Sequence, residues 1–343
     1  MRRSRFRSDA RRERWRADPL RSAIDAALER SVVGSFSRIG AATRRRLWSW
    51  EPLDAHRLDG RVAVVTGATS GLGRVTALGL TSLGATLVMV VRDGERGEGV
   101  AAGLRSRTGA SVEVVVADLG DLDAVRAAAE QLGRHPRIDV LVHNAGGLDA
   151  VRRTTPQGVE RTLATHVIGP LLLTHLCLPS LIAAVPSRVV VVTSAGMYAA
   201  EVDAAGLQMT GETYLGVTAY ARAKRAQVTL VEECAGPLGD RGVHLMAMHP
   251  GWADTPGLRR SLPRFRRTAG PLLRSAEEGA DTILWLAAAP LAEIGAGHLW
   301  LDRRPRALHV RARTRRTDTQ ERRRRVLEEC CRLAGVDACG ALR

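Results

Sequence analysis

The stretch RVAVVTGATSGLG, residues 61–73, joins a run of apolar β-forming residues to a glycine-rich turn and the start of a helical pattern. Its apolar residues are consecutive instead of alternating, which is typical of a strand buried on both faces of a parallel sheet. The glycines let the backbone come close to a ligand, and the following helix offers free N–H groups and a positive dipole end. The stretch therefore predicts a site for an anion such as a pyrophosphate.

Six further strand-like segments follow this stretch along the chain. They are ATLVMVV (85–91), SVEVVVADL (111–119), IDVLVHNAG (138–146), SRVVVVTS (187–194), VHLMAMHPG (243–251) and HLWLD (298–302). The segments between them are long enough for crossover helices. We expect an α/β fold: a Rossmann-type, doubly wound parallel sheet of about seven strands with helices on both faces and ligands at the carboxyl ends of the strands.

The composition is that of an ordinary globular protein, with 343 residues, 45% hydrophobic and 25% charged, which excludes disorder throughout. We expect one α/β domain at residues 58–302, flanked by basic arms at 1–57 and 303–343. The five cysteines form no CxxC pair and have no zinc-like spacing, so we expect neither a disulfide framework nor a metal site. A reducing, cytoplasmic location is the corresponding expectation.

The net charge of +15 lies entirely in the two arms. Residues 1–60 contain fifteen Arg against eight acids, residues 303–343 contain thirteen Arg against five, and the residues between them are neutral. Clustered Arg gives affinity for phosphate regardless of sequence, but no DNA- or RNA-binding motif accompanies it here. We expect no specific nucleic-acid partner, with binding through the arms as a minor alternative.

The N-terminal arm begins with an arginine-rich leader, residues 1–16, for which we expect disorder. After it, apolar residues recur at roughly helical spacing: Ile24, Ala27, Leu28, Val32, Phe36 and Ile39. This pattern predicts a helix packed on the main domain, or alternatively a peripheral helix on an anionic membrane surface. In the C-terminal arm, Val326, Cys330, Leu333 and Val336 predict a short helix. The apolar stretch 167–185 contains two prolines and polar residues, which favours a buried helix over a membrane span.

The second strand-like segment ends in Val91-Arg92-Asp93. Folds that bind NAD commonly place an acid here for the ribose hydroxyls, whereas an Arg accommodates the 2′-phosphate of NADP. Arg92 therefore favours NADP(H) over NAD(H). Asp93 weighs against this choice because a neighbouring carboxylate repels a phosphate.

A Tyr and a Lys, Tyr220 and Lys224, stand one helical turn apart and share a helix face. A tyrosine hydroxyl exchanges protons poorly at pH 7 unless a nearby cation stabilises the phenolate, which Lys224 could do. The chain contains fifty Arg and a single Lys, which indicates that an ammonium group is specifically required at position 224. Ser194, at the end of the fifth strand, completes a candidate catalytic group.

In chain order, TGATSGLG, NAG (144–146), Ser194, YARAK (220–224) and HPGWADT (249–255) resemble the short-chain dehydrogenase/reductase family. The resemblance covers residues 58–302. MHPGWADTPG, EEGADTILWLA and LWLDRRPRALHV are similar to its member-twelve-like subgroup.

The resemblance implies a role for each matching residue. Tyr220 would be the general acid/base, Lys224 would lower its pKa and hold the nicotinamide ribose, and Ser194 would bond the substrate oxygen. The implied cofactor-binding residues are Thr66, Gly67, Ser70, Gly71, Leu72, Gly73, Asp118, Leu119, Asn144, Ala145, Gly146, Lys224, Pro250, Gly251 and Thr255. The resemblance also implies a homo-oligomer.

Two departures from the family pattern stand out. His166 occupies the position where the family usually has an Asn that completes a proton relay, and we expect His166 to replace it. The 26-residue interval from Ser194 to Tyr220 is long, and its Leu207, Met209 and Leu215 indicate an apolar pocket wall.

The sequence thus predicts an NADP(H)-preferring oxidoreductase that interconverts a carbonyl and a secondary alcohol on a mainly apolar small molecule. The alternative is a catalytically silent dinucleotide-binding scaffold or redox sensor.

Overall fold

The computed structural model describes residues 18–294 and 299–336; the predicted leader lies outside these ranges. Eight strands form one sheet in the order β3-β2-β1-β4-β5-β6-β7-β8. They are β1 Val62–Thr66, β2 Thr86–Val91, β3 Val112–Val116, β4 Val140–His143, β5 Ser187–Val192, β6 Val243–Met248, β7 Leu299–Leu301 and β8 Arg304–Arg306. The first seven are parallel, which confirms the doubly wound sheet, and β8 is antiparallel to β7. Sequence reasoning missed β8, because three residues reading Arg-Pro-Arg carry no strand signal.

Helices cover both faces of this sheet. In chain order they are α1 Pro19–Arg30, α2 Val32–Phe36, α3 Arg38–Leu47, α4 Gly71–Ser82, α5 Gly94–Thr108, α6 Leu122–Leu132, α7 Arg161–Leu163, α8 Gly169–Leu176, α9 Leu178–Ala183, α10 Gly216–Asp240, α11 Pro256–Ser261, α12 Pro263–Ala269, α13 Ala276–Ala288, α14 Ala312–Thr317 and α15 Gln320–Ala334. One apolar core lies under α6, α8, α10 and α15, and a second lies under α4, α5 and α13. None of the described helices is long and apolar enough to span a membrane.

The N-terminal arm folds into α1, α2 and α3 and packs on the main domain mainly through polar side chains. Its buried polar residues are Asp25, Ser35, Ser37 and Arg44. Of the six apolar residues expected to pack inward, only Leu28 and Phe36 are half-buried, whereas Ile24, Ala27, Val32 and Ile39 are exposed. The expected apolar contact is therefore wrong at those four positions, because buried charges occupy the inner side of the arm.

Buried ion pairs join this arm to the far edge of the sheet. The Asp302 carboxylate, in the turn between β7 and β8, accepts hydrogen bonds from Arg44 at 2.8 Å and from Arg274 at 2.6 and 2.9 Å. Asp25 of α1 pairs with Arg44 at 2.6 Å and with Arg306 at 3.0 Å. Burial alone would raise the pKa of Asp302, but Arg274 and Arg44 outweigh it and the pKa is lowered. Asp302 therefore stays ionised.

The C-terminal arm ends in α15, the helix that its apolar spacing predicts. Its Val326, Leu327, Cys330, Cys331 and Ala334 are buried in the core that α8 and α10 share. Its arginines lie on the outer side, apart from that apolar face.

Replacing Arg44 by Met should lower the free energy of unfolding by about 3–5 kcal/mol, because it leaves Asp25 and Asp302 buried with part of their countercharge removed. Urea denaturation followed by circular dichroism measures this change. As a control, Arg57→Met breaks a pair with Asp59 whose side chains are 54% and 64% exposed. That change should leave the free energy of unfolding nearly unchanged, because water screens an exposed ion pair. Equal losses in the two variants would contradict a structural role for the cluster.

Candidate active site

The glycine-rich turn after β1 has the backbone geometry of an anion site. Gly67 and Gly71 have φ of 70° and 53°, in the left-handed region that favours glycine. A Cβ atom on Gly73 would lie 2.3 Å from the Gly67 carbonyl oxygen, so only glycine fits there. Ser70 precedes α4 but its side chain makes no capping hydrogen bond, which leaves the first amides of this twelve-residue helix without a side-chain acceptor. These features fit a dinucleotide pyrophosphate.

The NAG segment, residues 144–146, is fastened to this turn. The Thr66 hydroxyl accepts hydrogen bonds from the Asn144 and Ala145 amides, both at 3.0 Å. The Asn144 side chain donates to the carbonyl oxygens of Thr66 at 3.0 Å and Gly67 at 3.2 Å. Thr66, for which the family resemblance implies cofactor contact, is fully buried and braces the loop. The bracing fixes the crevice between β1 and β4, where the strand order reverses.

The residues after β2 and β3 differ in exposure. Arg92 and Asp93 are both exposed, and the Asp93 carboxylate caps α5 by accepting from the Arg96 amide at 3.1 Å. Asp118 accepts from the Gly120 amide at 2.9 Å. Leu119 lies in the core, 3% exposed, so its side chain is not available to a ligand.

Ser194, Tyr220 and Lys224 meet at the carboxyl end of β5. Lys224 Nζ donates to the Val192 carbonyl oxygen at 2.9 Å and lies 5.4 Å from the centre of the Tyr220 ring. The Ser194 hydroxyl hydrogen-bonds the Tyr220 side chain. Thr193 donates its hydroxyl proton to the Lys224 carbonyl oxygen at 3.0 Å and so anchors α10 to the strand end. Sequence reasoning missed Thr193, which carries no signal apart from its place beside Ser194.

Burial dominates the proton affinities of this group. It raises the pKa of Tyr220, and the hydrogen bond from Ser194 offsets only part of that rise. It also lowers the pKa of Lys224 from 10.5 to about 7. The net shift for Tyr220 is therefore opposite to the lowering that we expected from Lys224. The physical reason is that the Lys224 amine is directed at a backbone carbonyl oxygen while the phenol is desolvated.

His166 lies in a π-helical turn, Ala164–Ile168, between α7 and α8. Its ring packs edge-to-face on Tyr220, with centroids 5.4 Å apart. Nε2 lies 2.7 Å from the Gly147 carbonyl oxygen and 3.0 Å from its amide nitrogen. Burial, reinforced by Lys224, lowers the pKa of His166 to about 3, so the ring is neutral at pH 7. The structure thus places His166 against the tyrosine but without a direct bond to it.

A small cavity of about 50 Å³ lies on the inner side of His166. Three of its lining residues each carry a buried polar atom without a hydrogen-bond partner among the described residues: His166 Nδ1, His143 Nδ1 and Gln227 Oε1. The Gln227 amide nitrogen donates to the His166 carbonyl oxygen at 2.8 Å. A cavity of this size with several polar atoms is large enough to hold water.

The loop after β6 connects the glycine-rich turn to the N-terminal arm. A Cβ atom on Gly71 would touch Thr255 at 3.3 Å, and Gly251 has a φ of 69°. The Trp252 amide donates to the Phe36 carbonyl oxygen at 2.8 Å. Pro250 belongs to this loop, two residues after the end of β6. The arm therefore supports the loop that crosses the cofactor crevice, which sequence reasoning did not foresee.

Aromatic rings also contact one another between the N-terminal arm and the loop after β6. The Phe36 ring lies 6.3 Å from Tyr198 and 6.0 Å from Trp252, and Trp252 lies 5.1 Å from Phe265, measured between ring centroids. Phe36, Trp252 and Phe265 are each half-buried. They form an aromatic wall beside the carboxyl ends of β5 and β6.

The expected pocket wall between Ser194 and Tyr220 has a different arrangement. Leu207 and Met209 are buried, and Leu207 belongs to the main apolar core. Leu215 is 56% exposed just before α10. These three residues therefore do not form one continuous apolar surface.

The fold and this group of residues define a class of protein, the dinucleotide-dependent oxidoreductases. Comparison with known proteins narrows the class: residues 61–264 match the short chain dehydrogenase family model. The chain belongs to this short-chain dehydrogenase/reductase family and is an oxidoreductase of the CH–OH dehydrogenase/reductase type.

Three similar proteins illustrate the relationship. Bovine dehydrogenase/reductase SDR family member 12 is 35% identical over 280 residues, covering 80% of this chain and 88% of the relative. Human retinol dehydrogenase 12 is 33% identical over 284 residues, covering 82% and 88%. A crystal structure named as an NAD(P)-dependent gluconate 5-dehydrogenase from Beutenbergia cavernae, with NADP bound at low occupancy, is 27% identical with a TM-score of 0.61, covering 74% of this chain and 97% of that one.

Replacing Lys224 by Met should change how stability depends on pH. Between pH 7 and 10.5 the unfolded chain binds the Lys224 proton more strongly than the folded one, so wild-type stability rises with pH across this window. The variant lacks this contribution, and any stability advantage it has at pH 7 should shrink as the pH rises. Urea denaturation of both cofactor-free proteins across the window measures the difference. A difference that stays constant with pH would contradict the lowered pKa.

Proposed function

We propose that the protein is an NADP(H)-preferring reductase or dehydrogenase that interconverts a carbonyl and a secondary alcohol on a mainly apolar small molecule. The observation that carries the proposal is the meeting of Ser194, Tyr220 and Lys224 beside the glycine-rich turn. When bound, the nicotinamide supplies or accepts the hydride. In the reduction direction, Ser194 orients the substrate oxygen and Tyr220 donates a proton to it. Lys224 holds the nicotinamide ribose and offers a second proton carrier beside Tyr220.

The preference for NADP rests on the exposed position of Arg92 and on the hydrogen bond that engages the Asp93 carboxylate. Arg92 is exposed at the end of β2, where an arginine can reach the 2′-phosphate. Asp93 is the carboxylate that would repel this phosphate, but its side chain is engaged at the N-terminus of α5. The bound NADP of the Beutenbergia structure is in agreement with this choice.

The preference for an apolar substrate rests on the aromatic wall formed by Phe36, Trp252 and Phe265. Half-buried rings next to a crevice offer apolar surface to a ligand. The similarity to a protein named retinol dehydrogenase supports the same class of substrate.

We assign His166 the place of the family's relay Asn. Its ring packs edge-to-face on Tyr220, and His166 lines the small cavity together with Gln227. A water molecule in that cavity could connect the polar atoms of His166, His143 and Gln227. Because its pKa is about 3, His166 acts as a neutral donor and acceptor and does not itself become charged near pH 7.

Replacing Arg92 by Ala should weaken NADPH binding by roughly 10- to 100-fold, the loss expected for a hydrogen bond between two charged groups. NADH binding should stay within about twofold, because NADH has no 2′-phosphate. Isothermal titration calorimetry measures both affinities. The matched control is Arg134→Ala, an exposed arginine just after the end of α6, which should change neither affinity. Equal weakening of both nucleotides would contradict the phosphate contact.

Replacing Tyr220 by Phe should lower turnover by about 10²- to 10⁴-fold while NADPH binding is retained, because only the transferable proton is removed. The readout is NADPH oxidation in the presence of a panel of apolar ketones and aldehydes, retinal included. Tyr214→Phe is the control, since Tyr214 bonds Glu160 at 3.1 Å outside this group. Wild-type turnover in the Tyr220 variant would refute the assigned acid. A wild-type protein that binds NADPH but reduces none of the panel would favour the silent scaffold.

A further inference from the structure

The N-terminal arm has an inverted distribution of polar and apolar residues. Its inner side carries Asp25, Ser35, Ser37 and Arg44, each at most 6% exposed. Its outer side carries five exposed apolar residues: Leu20 at 71%, Ile24 at 38%, Val32 at 52%, Val33 at 47% and Ile39 at 53%. Helices on a water-soluble surface normally have the opposite arrangement. The outer side of the arm is therefore an apolar surface that the rest of the described chain leaves uncovered.

The helical spacing makes part of this surface continuous. Leu20, Ile24 and Ala27 stand at i, i+4 and i+7 of α1 and form one stripe. This stripe cannot rotate inward, because Asp25 next to it is held by Arg44 and Arg306. Isolated exposed apolar residues need no explanation, but a stripe fixed outward by a buried ion cluster indicates an interaction surface.

Positive charge surrounds the apolar residues. The exposed arginines of α1, α2 and α3 and the residues between them are Arg21, Arg30, Arg38, Arg45 and Arg46. The segment 256–269, which covers α11 and α12, adds exposed Arg259, Arg260, Arg264, Arg266 and Arg267 and contains no acid. Its Leu262 is 38% exposed. The ring contacts from Phe36 through Trp252 to Phe265 place this segment next to α2.

We propose that α1–α3 and the segment 256–269 together form a docking surface for an anionic lipid membrane. Apolar side chains flanked by arginines are the pattern of helices that lie in the plane of a bilayer, with the apolar residues among the acyl chains and the arginines on the phosphates. A nucleic acid would match the arginines but would leave the apolar stripe in water. The docking does not depend on the proposed reaction, and its test uses no substrate.

Sedimentation of the full-length protein with vesicles tests the apolar part of this surface. Vesicles of phosphatidylcholine with phosphatidylserine should bind the protein, and vesicles of phosphatidylcholine alone should bind it far less. A triple variant, Leu20→Ser, Val32→Ser and Ile39→Ser, should weaken binding to the anionic vesicles by about tenfold or more, because it removes apolar anchors. The matched control is Val151→Ser, Val185→Ser and Val217→Ser, whose side chains are 60%, 49% and 54% exposed elsewhere on the molecule. The control should bind as the wild type does.

A second triple variant, Arg260→Gln, Arg264→Gln and Arg267→Gln, tests the charged part. It should also weaken binding, by about tenfold or more, whereas Arg324→Gln, Arg325→Gln and Arg332→Gln on α15 should have little effect. Residues 1–17 carry eight further arginines and are present in every variant, so they contribute equally. NADPH binding by each variant shows that it is folded. Failure of the wild type to bind the anionic vesicles would overturn the proposal, and so would binding that is unchanged by the apolar variant or by the Arg260/Arg264/Arg267 variant. Tight binding to duplex DNA that the apolar variant does not alter would point to a nucleic acid instead.

Discussion

The buried carboxylate of Asp302 is the constraint on which the arrangement of the site depends. A charge that is 1% exposed needs partners, and Arg44 and Arg274 supply them. Arg274 also donates to the Phe36 carbonyl oxygen at 3.0 Å, and the same oxygen accepts from the Trp252 amide. A continuous set of bonds therefore leads from the last parallel strand, through the N-terminal arm, to the loop beside the cofactor crevice. The arm is part of the domain that it flanks in sequence.

The buried ion pairs change what the net charge implies about the surface of the protein. In the sequence, all of the excess positive charge lies in the two arms. In the structure, Arg44, Arg303, Arg304 and Arg306 are each at most 9% exposed. Arg303 pairs with Asp281 through two bonds of 2.7 Å, and Arg306 pairs with Asp25. Part of the positive charge thus holds the arms to the sheet, and only the remainder is available to a partner. Charge counted along a sequence is a statement about solubility and association, not about which residues reach the surface.

The features that the sequence predicts are those encoded by neighbouring residues. Seven strands follow from local apolar runs, the glycine-rich turn from its own composition, and the pairing of Tyr220 with Lys224 from helical spacing. The missed features depend on residues far apart in the chain. Arg44 and Asp302 are separated by 258 positions, and neither has a local pattern that marks it as buried. The hydrogen bond from the Trp252 amide to the Phe36 carbonyl oxygen likewise joins residues that are far apart in the chain, so no local pattern predicts it. Helical spacing identified the apolar residues of the arm but could not tell which side would face inward, because that choice is made by the ion cluster.

The electrostatics of the proposed catalytic group determine which protonation state each of its side chains prefers. Burial raises the pKa of Tyr220 and lowers that of Lys224 to about 7, so each group is shifted toward its neutral form. His166, with a pKa near 3, is neutral as well. A protonated tyrosine is the acid that carbonyl reduction needs, whereas alcohol oxidation needs the phenolate that burial disfavours. The free protein therefore presents Tyr220 in its protonated form, the form that the proposed reduction uses. Oxidation would require an added positive charge near the phenolate, which Lys224 could provide only by keeping its proton.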